Sequence, residues 1–495
     1  MLTPRSMAQS DHDTYAAAGW LFRRLLALVY LAAFWSLGVQ ILGLVGRRGI
    51  LPAAVSLERA GEVLRGPARF RLLPTLFWLN ASDAALQGAC LAGAILSVLA
   101  AAGLAPAAAF FLLWLLYLSL TIVTSLFLSY QWDALLLETG LLAIFVAPWS
   151  LRDRRRDAAD PPRLGRRLML WLLVRLMVGS GAVKLTSGDP TWRHLTALSY
   201  HFWTQPIPTP AAWIASRLPS WALAATTAAT LAIELGAPFF VLARRRARTI
   251  ACTLLLGLQA LIAITGNYAF FNLLTAALCL FMLDDAALAA VGVGSIRRAA
   301  AASVPDRLRS WGLVGVAIMT MPISAVAFAR TIGIEMPDVP PVGALANLIE
   351  PFRSVNAYGL FAVMTTSRPA IVIEGSVDGQ HWIEYPLKYQ PVAITDRPRW
   401  VAPHQPRLDW QLWFAALSRY EDEPWFQRLL VRLLEGSPEV LGLFARDPFG
   451  GRPPRYVRAV LYEFRFAAPA ERRNGAWWER RRVGLYAPEL TLERR

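Results

Sequence analysis

Lysine is almost missing from this chain: of 50 basic residues only Lys184 and Lys388 are lysine, and the other 48 are arginine. Cysteine occurs three times, as Cys90, Cys252 and Cys279, each inside an apolar run. No Cys-x-x-Cys is present. That excludes a thiol redox motif, a disulfide framework and a cysteine zinc site. The five histidines, His12, His194, His201, His381 and His404, lack metal-ligand spacing. His194 and His201 would sit about 10 Å apart along a helix and could not share one ion. No metal site is expected. Walker, Gly-x-Ser-x-Gly and His-Glu-x-x-His motifs are absent, and "GVGSIRRAAA" at 292–301 is too weak a pattern for a phosphate loop. No cofactor is implied. Charge is sparse as well: 17% of residues are charged, against about a quarter in soluble chains.

What fills the space is apolar. The 495 residues are 56% hydrophobic with a mean hydropathy of +0.40. Several stretches of about 18 or more apolar residues could each cross a hydrocarbon core about 30 Å thick. Nine spans are expected, at about 20–45, 84–104, 106–130, 132–149, 168–185, 221–242, 249–265, 267–284 and 311–330. The net charge of +16 is concentrated in short loops: "LRDRRRDAADPPRLGRR" at 151–167, "RRRAR" at 244–248 and "IRRAA" at 296–300. This pattern follows the positive-inside rule rather than marking a nucleic-acid surface. It places those loops and the N-terminus in the cytoplasm, with only Arg47 and Arg48 on the wrong side. The first apolar run is too long for the core of a cleavable signal. Four unusual segments then reach the outer face: 77–83, 129–140, 184–210 and 265–272.

The fold class expected is an α-helical multi-pass bundle over 1–330, a linker over 331–349, and a small β-rich α+β extracytoplasmic domain over 350–495. In the last part, "AIVIEGSVDGQHWIEYPLKY" alternates apolar and polar residues around an Asp-Gly turn, as a hairpin does. "YVRAVLYEFRFA" at 456–467 has the pattern of another strand. "LDWQLWFAALSRY" and "WFQRLLVRLLEG" between them carry helical spacing.

The stretch "KLTSGDPTWRHLTALSYHFWTQPIPTP" at 184–210 concentrates the chemistry. Lys184 ends an apolar run in a chain that otherwise uses arginine. A desolvated lysine can lose its proton, whereas arginine cannot. Lys184 is therefore a candidate base, with His194, His201, Asp133 and Glu138 as candidate proton-handling neighbours. The plain alternative is a lysine snorkelling to the membrane surface. Asp189, Trp192, Trp203, Pro206, Pro208 and Pro210 are candidates for a rigid lip facing a client. The closely spaced prolines preclude a helix or a central strand. Arg175 and Glu234 lie at similar depths within predicted spans and are expected to form a buried ion pair, with Glu138 as the other available partner for Arg175.

"SYQWDALLLETGLLAIFVAPW", the 184–210 stretch, "TGNYAFFNLLT", "RLDWQLWFAALSRYEDEPWF" and "PPRYVRAVLYEFRF" resemble the lipase maturation factor family, over roughly residues 20–468. In animals the resemblance implies an endoplasmic-reticulum membrane protein that helps secreted lipases fold, with its C-terminal domain in the lumen. The Arg- and Ala-rich composition is closer to a bacterial protein from a GC-rich genome, which implies the inner membrane and other exported clients. The N-terminal bundle is also faintly similar to the membrane domain of vitamin K-dependent carboxylases, where a membrane-embedded lysine is the base acting on a quinol. By position only Lys184 could match it. Two functions follow as expectations: a maturation factor for exported proteins, or a membrane enzyme using Lys184 on a lipophilic or quinol-like substrate.

Overall fold

The computed structural model describes residues 13–293, 305–337 and 339–492. The arginines at 296–300, most of the 292–301 stretch and His12 lie outside the described residues. In chain order the bundle comprises α1 (Ala16–Gly38), α2 (Asp83–Ala101), α3 (Pro106–Thr124), α4 (Gln131–Val146), α5 (Arg163–Thr186), α6 (Ser220–Gly236), α7 (Arg245–Thr265), α8 (Phe271–Cys279) and α9 (Pro305–Thr331). Seven of these, with the 3-10 turns that prolong α3 and α6, are long and apolar enough to cross a membrane. The chain is thus a multi-pass membrane protein.

The two remaining expected spans are shorter. α4 has 16 residues, and α8 with its 3-10 turn covers only Phe271–Met282. A 16-residue helix is about 24 Å long, less than a hydrocarbon core about 30 Å thick. Sequence hydropathy over 132–149 includes residues beyond the helix: the chain leaves it at Ala147, just before Pro148.

α1 orders the whole bundle. It has 23 residues, about 34 Å by the helical rise. Its first turns gather the arginine-rich loops. Arg23 makes a two-point contact with Asp153, at 2.7 and 2.9 Å, and Arg24 adds a third bond at 2.6 Å. The Tyr15 amide donates to Asp160, and the Ala17 amide donates to Asp285. Next to Asp285, Asp284 takes hydrogen bonds from Arg245 and Arg248, both at 2.7 Å. Burial of Asp153 acts to raise its pKa, but Arg23 and Arg24 hold it below the usual carboxylate range.

The other end of α1 meets the C-terminal region. There Ser36 Oγ accepts from the Gln405 amide at 2.8 Å, and Gln40 bridges the Gln405 carbonyl and the Arg407 amide, both at 2.8 Å. Segments 77–83, 129–140, 184–210 and 265–272 all reach this end. Asn267, for example, accepts from the Val401 amide at 2.6 Å. Arg47 and Arg48 are here too, beside Asp83 and Glu439.

The C-terminal region contains α10 (Pro340–Ile349), β1 (Pro369–Ser376), β2 (Ile383–Glu384), α11 (Arg407–Ala415), α12 (Pro424–Leu434), β3 (Tyr456–Phe466) and β4 (Trp478–Thr491). The strands form one antiparallel sheet in the order β2-β1-β3-β4. The Asp-Gly hairpin is present, with Glu374 opposite Glu384. The expected linker holds a helix, α10, whose prolines occupy its first turn, where a missing N–H costs nothing. β4 is an edge strand carrying Arg480, Arg481, Arg482 and Pro488, which give it no apolar alternation.

Sheet and bundle share one continuous core. Two glycines permit the contact. A Cβ on Gly43 would overlap the Glu439 carbonyl, and one on Gly179 would overlap the Tyr358 carbonyl. The strongest tie is Arg407, which enters the bundle fully buried. It bonds both oxygens of the buried Asp133, at 2.6 and 2.9 Å, and the Phe127 carbonyl at 2.8 Å. Tyr117 donates to the same carboxylate at 2.5 Å.

Arg407→Ala leaves the Asp133 charge buried and uncompensated. The expected cost is on the order of 3–5 kcal/mol. A thermal melt in detergent should show a large loss of stability, much of it recovered when Asp133→Leu is added to Arg407→Leu. An unchanged melt of the single variant would contradict the clamp.

Candidate functional site

A cavity of about 370 Å³ opens between α5, α6, α7 and the C-terminal region. Lys184, Ser180 and Met177 face it from α5, Glu234 from α6 and Gln259 from α7. Tyr130 and Trp132 line it from the start of α4, Trp410 and Phe414 from α11, and Leu360 to Val363 from the loop before β1. Three of the four unusual segments thus meet around Lys184: 129–140, 184–210 through Pro206, and 265–272 through Tyr268 and Phe271. The fourth, 77–83, takes no part.

Lys184 is buried and paired. Its ammonium donates to both oxygens of Glu234, at 2.9 and 2.7 Å, and to the Ser180 carbonyl at 3.1 Å. An ammonium has three protons to donate, so every one has a protein acceptor. The Trp192 ring lies 5.2 Å away and adds a cation–π contact. Lys184 neither snorkels to the surface nor presents a free amine.

The expected Arg175–Glu234 pair is corrected accordingly. Glu234 belongs to Lys184, and Arg175 bonds Glu138. Glu138 also accepts from the Tyr358 hydroxyl at 2.7 Å and the Asn356 amide at 3.2 Å. Depth along the helices could not distinguish the two carboxylates; the rotation of each helix about its axis decides the partner.

The proposed proton-handling neighbours do not assemble around Lys184. Asp133 is held by Arg407 and Glu138 by Arg175. His194 is exposed at the end of the short Pro190–Arg193 turn. His201 stays close: its Nε2 is 3.2 Å from the Tyr268 hydroxyl, which donates to Gln205 at 2.8 Å. Burial first, and the Lys184 charge second, push the His201 pKa down to about 4, so the ring is neutral at pH 7. Among the described residues, no group of three His, Cys, Asp or Glu could hold a metal ion.

The expected lip is not an exposed surface. Asp189, Trp192, Pro206, Pro208 and Pro210 are buried, and Trp203 is partly buried. Asp189 caps the Pro190–Arg193 turn through the Thr191 amide and also accepts from the Met364 amide at 2.5 Å. Trp192 donates to the Phe361 carbonyl at 2.9 Å. The prolines leave carbonyls to be satisfied. Arg368 serves Pro206 at 2.9 Å, and Asn267 serves Ile207 at 3.1 Å. Pro208 bridges to Gly266, and Pro210 starts the Pro210–Ala215 helix. The stretch is a seat for the C-terminal region. Arg407, Arg368, Asn267 and Tyr358 are the residues that sequence reasoning missed. Arg407 sits within a motif that carried the family resemblance, yet nothing local sets it apart from 47 other arginines.

This architecture defines a multi-pass membrane protein whose sheet domain is locked to one end of its helical bundle over a charge-paired cavity. Residues 17–290 match the lipase maturation factor transmembrane domain, and residues 354–488 match the lipase maturation factor C-terminal domain. The chain belongs to the lipase maturation factor family. It is 36% identical to lipase maturation factor 2 of Gallus gallus, over 95% of this chain and 81% of that one. The human lipase maturation factor 2 is also 36% identical, over 95% and 82%. Lipase maturation factor 1 of Bos taurus is 33% identical, over 97% and 90%. No solved structure matches the chain.

Lys184→Met should strand Glu234 and lower stability by an amount on the order of 3–5 kcal/mol. Adding Glu234→Leu should restore most of it. Thermal melts of the single and double variants check this, and a single variant as stable as the parent would contradict the pairing.

Proposed function

We propose that the protein is an integral membrane maturation factor for exported proteins, acting from the end of the bundle that carries the C-terminal region. Family membership over nearly the whole chain carries this proposal. The separation of the arginine loops from the C-terminal region by the length of α1 supports the orientation. Arginine-rich loops favour the cytoplasmic side, so the sheet domain lies in the periplasm, or in the endoplasmic-reticulum lumen of a eukaryote. The clients are lipases or other exported proteins. All three described cysteines are free and buried, so the assistance consists of holding or scaffolding rather than thiol exchange.

A membrane enzyme with Lys184 as base and a lipophilic or quinol-like substrate is the second proposal. The cavity beside Lys184 favours it. The Glu234 pairing weighs against it, because a base must first give up a proton that Glu234 and Ser180 hold in place.

One set of strains tests both. Deleting the gene should lower the activity of a co-expressed exported lipase, and the wild-type chain should restore it. Lys184→Arg keeps the charge opposite Glu234 and should also restore it. A folded, abundant Lys184→Arg protein that fails would support the enzyme in place of the scaffold. A deletion without effect on any exported lipase would overturn lipase maturation here. For orientation, alkaline phosphatase fused after residue 350 should be active and fused at residue 158 inactive, and the reverse pattern would contradict the proposed face.

A further inference from the structure

A second cavity, of about 520 Å³, lies at the other end of the bundle, where the arginine-rich loops gather. The starts of α1, α5 and α7 and the 3-10 turn after α6 surround it. Four arginines line it, Arg163, Arg166 and Arg167 from α5 and Arg248 from α7, against two aspartates, Asp13 and Asp160. The sequence "RLGRR" at 163–167 puts its three arginines at i, i+3 and i+4, on one face of the first turn of α5.

The charges in this pocket do not balance. Asp13 is taken by Arg245 and Arg248, at 2.9 and 3.0 Å. Asp160 accepts from the Tyr15 amide at 2.6 Å. Arg248 is completed by Asp284 at 2.7 Å and the Met282 carbonyl at 2.6 Å. Arg166 lies 3.9 Å from the centre of the Tyr15 ring and donates to the Phe281 carbonyl at 3.3 Å; neither partner carries a charge. Arg163 and Arg167 are exposed and make no hydrogen bond or ion pair among the described residues. Three guanidiniums thus line one pocket without a carboxylate to neutralise them. They also stand at the wrong end of a helix. Positive partial charge collects at a helix N-terminus and disfavours cations there, and α5 has no acidic residue in its first turn to offset it. The positive-inside rule explains why arginines occupy this end of the bundle, but not why three of them line a cavity. A bound anion removes both conflicts.

The rim shows which anion. Val241 and Leu242 line the pocket, Leu242 is 81% exposed, and Phe239 just before it is 66% exposed. They end the apolar span Ser220–Leu242, so the pocket lies where hydrocarbon gives way to water. A soluble anion gains nothing from that rim. A phospholipid carries its phosphate at this depth and its chains alongside the span. The volume falls in the range of about 300–1,000 Å³ typical of small-molecule sites. We infer that this pocket binds an anionic phospholipid, its phosphate among Arg163, Arg166 and Arg167 and its acyl chains against the exposed end of α6. The inference is independent of the client the protein serves and of the side of the membrane that this end faces.

The test uses the full-length protein, purified in detergent and stripped of lipid. Its thermal melt is followed against added phosphatidylglycerol, phosphatidylcholine with the same chains, and inorganic phosphate at matched ionic strength. A ligand of the folded state raises the melt according to its affinity. Phosphatidylglycerol should bind at least about tenfold more tightly than phosphatidylcholine, because it has a net charge to give the arginines, and inorganic phosphate should not stabilise. Arg163→Gln with Arg167→Gln should weaken phosphatidylglycerol binding by roughly fivefold for each arginine removed, and leave the lipid-free melt unchanged. Arg167→Gln alone is the second variant, should the double variant fail to fold. Arg244→Gln with Arg246→Gln is the control: it removes the same charge from exposed arginines of the neighbouring loop that do not line the pocket, and should weaken binding by less than about twofold. Equal binding of the two lipids, stabilisation by inorganic phosphate without any by phosphatidylglycerol, or an equal loss in the pocket and control variants would each overturn the inference.

Discussion

One buried charge holds the structure together. Asp133 stands at the start of a helix packed inside an apolar bundle, fully shielded from solvent. Ionised carboxylates are costly in such surroundings unless paired and hydrogen-bonded. The partner comes from the other part of the chain: Arg407 reaches in from the C-terminal region with two parallel bonds. Satisfying Asp133 therefore requires the sheet domain to be seated. Seating it brings α11 over the bundle, and α11 carries the Trp410 and Phe414 walls of the cavity. The charge, the docking and the cavity are one arrangement.

The same logic recurs at lower cost elsewhere. Glu138 is neutralised by Arg175 and also takes hydrogen bonds from Tyr358 and Asn356, again from beyond the bundle. Asp189 caps a turn and receives the Met364 amide. Arg368 and Asn267 serve the carbonyls of the proline stretch. In each of these cases a polar group that the bundle leaves unsatisfied is met by the segment that docks on it. This is why a stretch rich in aromatics and proline, which has the look of a surface lip, is instead an internal seat.

Much of this was legible in the sequence, and the failures have physical causes. Apolar run length located the membrane helices, because bilayer thickness imposes it. It overcounted full spans at α4 and α8, because hydropathy does not show where a helix stops. Alternation and the Asp-Gly turn located β1 and β2, but β4 escaped, since an exposed edge strand needs no apolar face. Lys184 stood out against 48 arginines, and it does line a cavity between the bundle and the C-terminal region. Its pairing with Glu234 was not readable, because helix rotation rather than depth selects between Glu234 and Glu138. Arg407 was invisible for a related reason: a charge that crosses between domains leaves no local period.

The Arg407–Asp133 tie and the shared core make bundle and C-terminal region a single rigid unit. The native cysteines are buried, so spin labels can be placed selectively at Ala84→Cys on α2 and Glu489→Cys on β4, both exposed positions. Pulsed electron resonance on the full chain in lipid nanodiscs then reads the distance between them. One narrow distance distribution is expected, which broadens when Arg407 is replaced by alanine. A broad or multimodal distribution in the otherwise wild-type protein would contradict it.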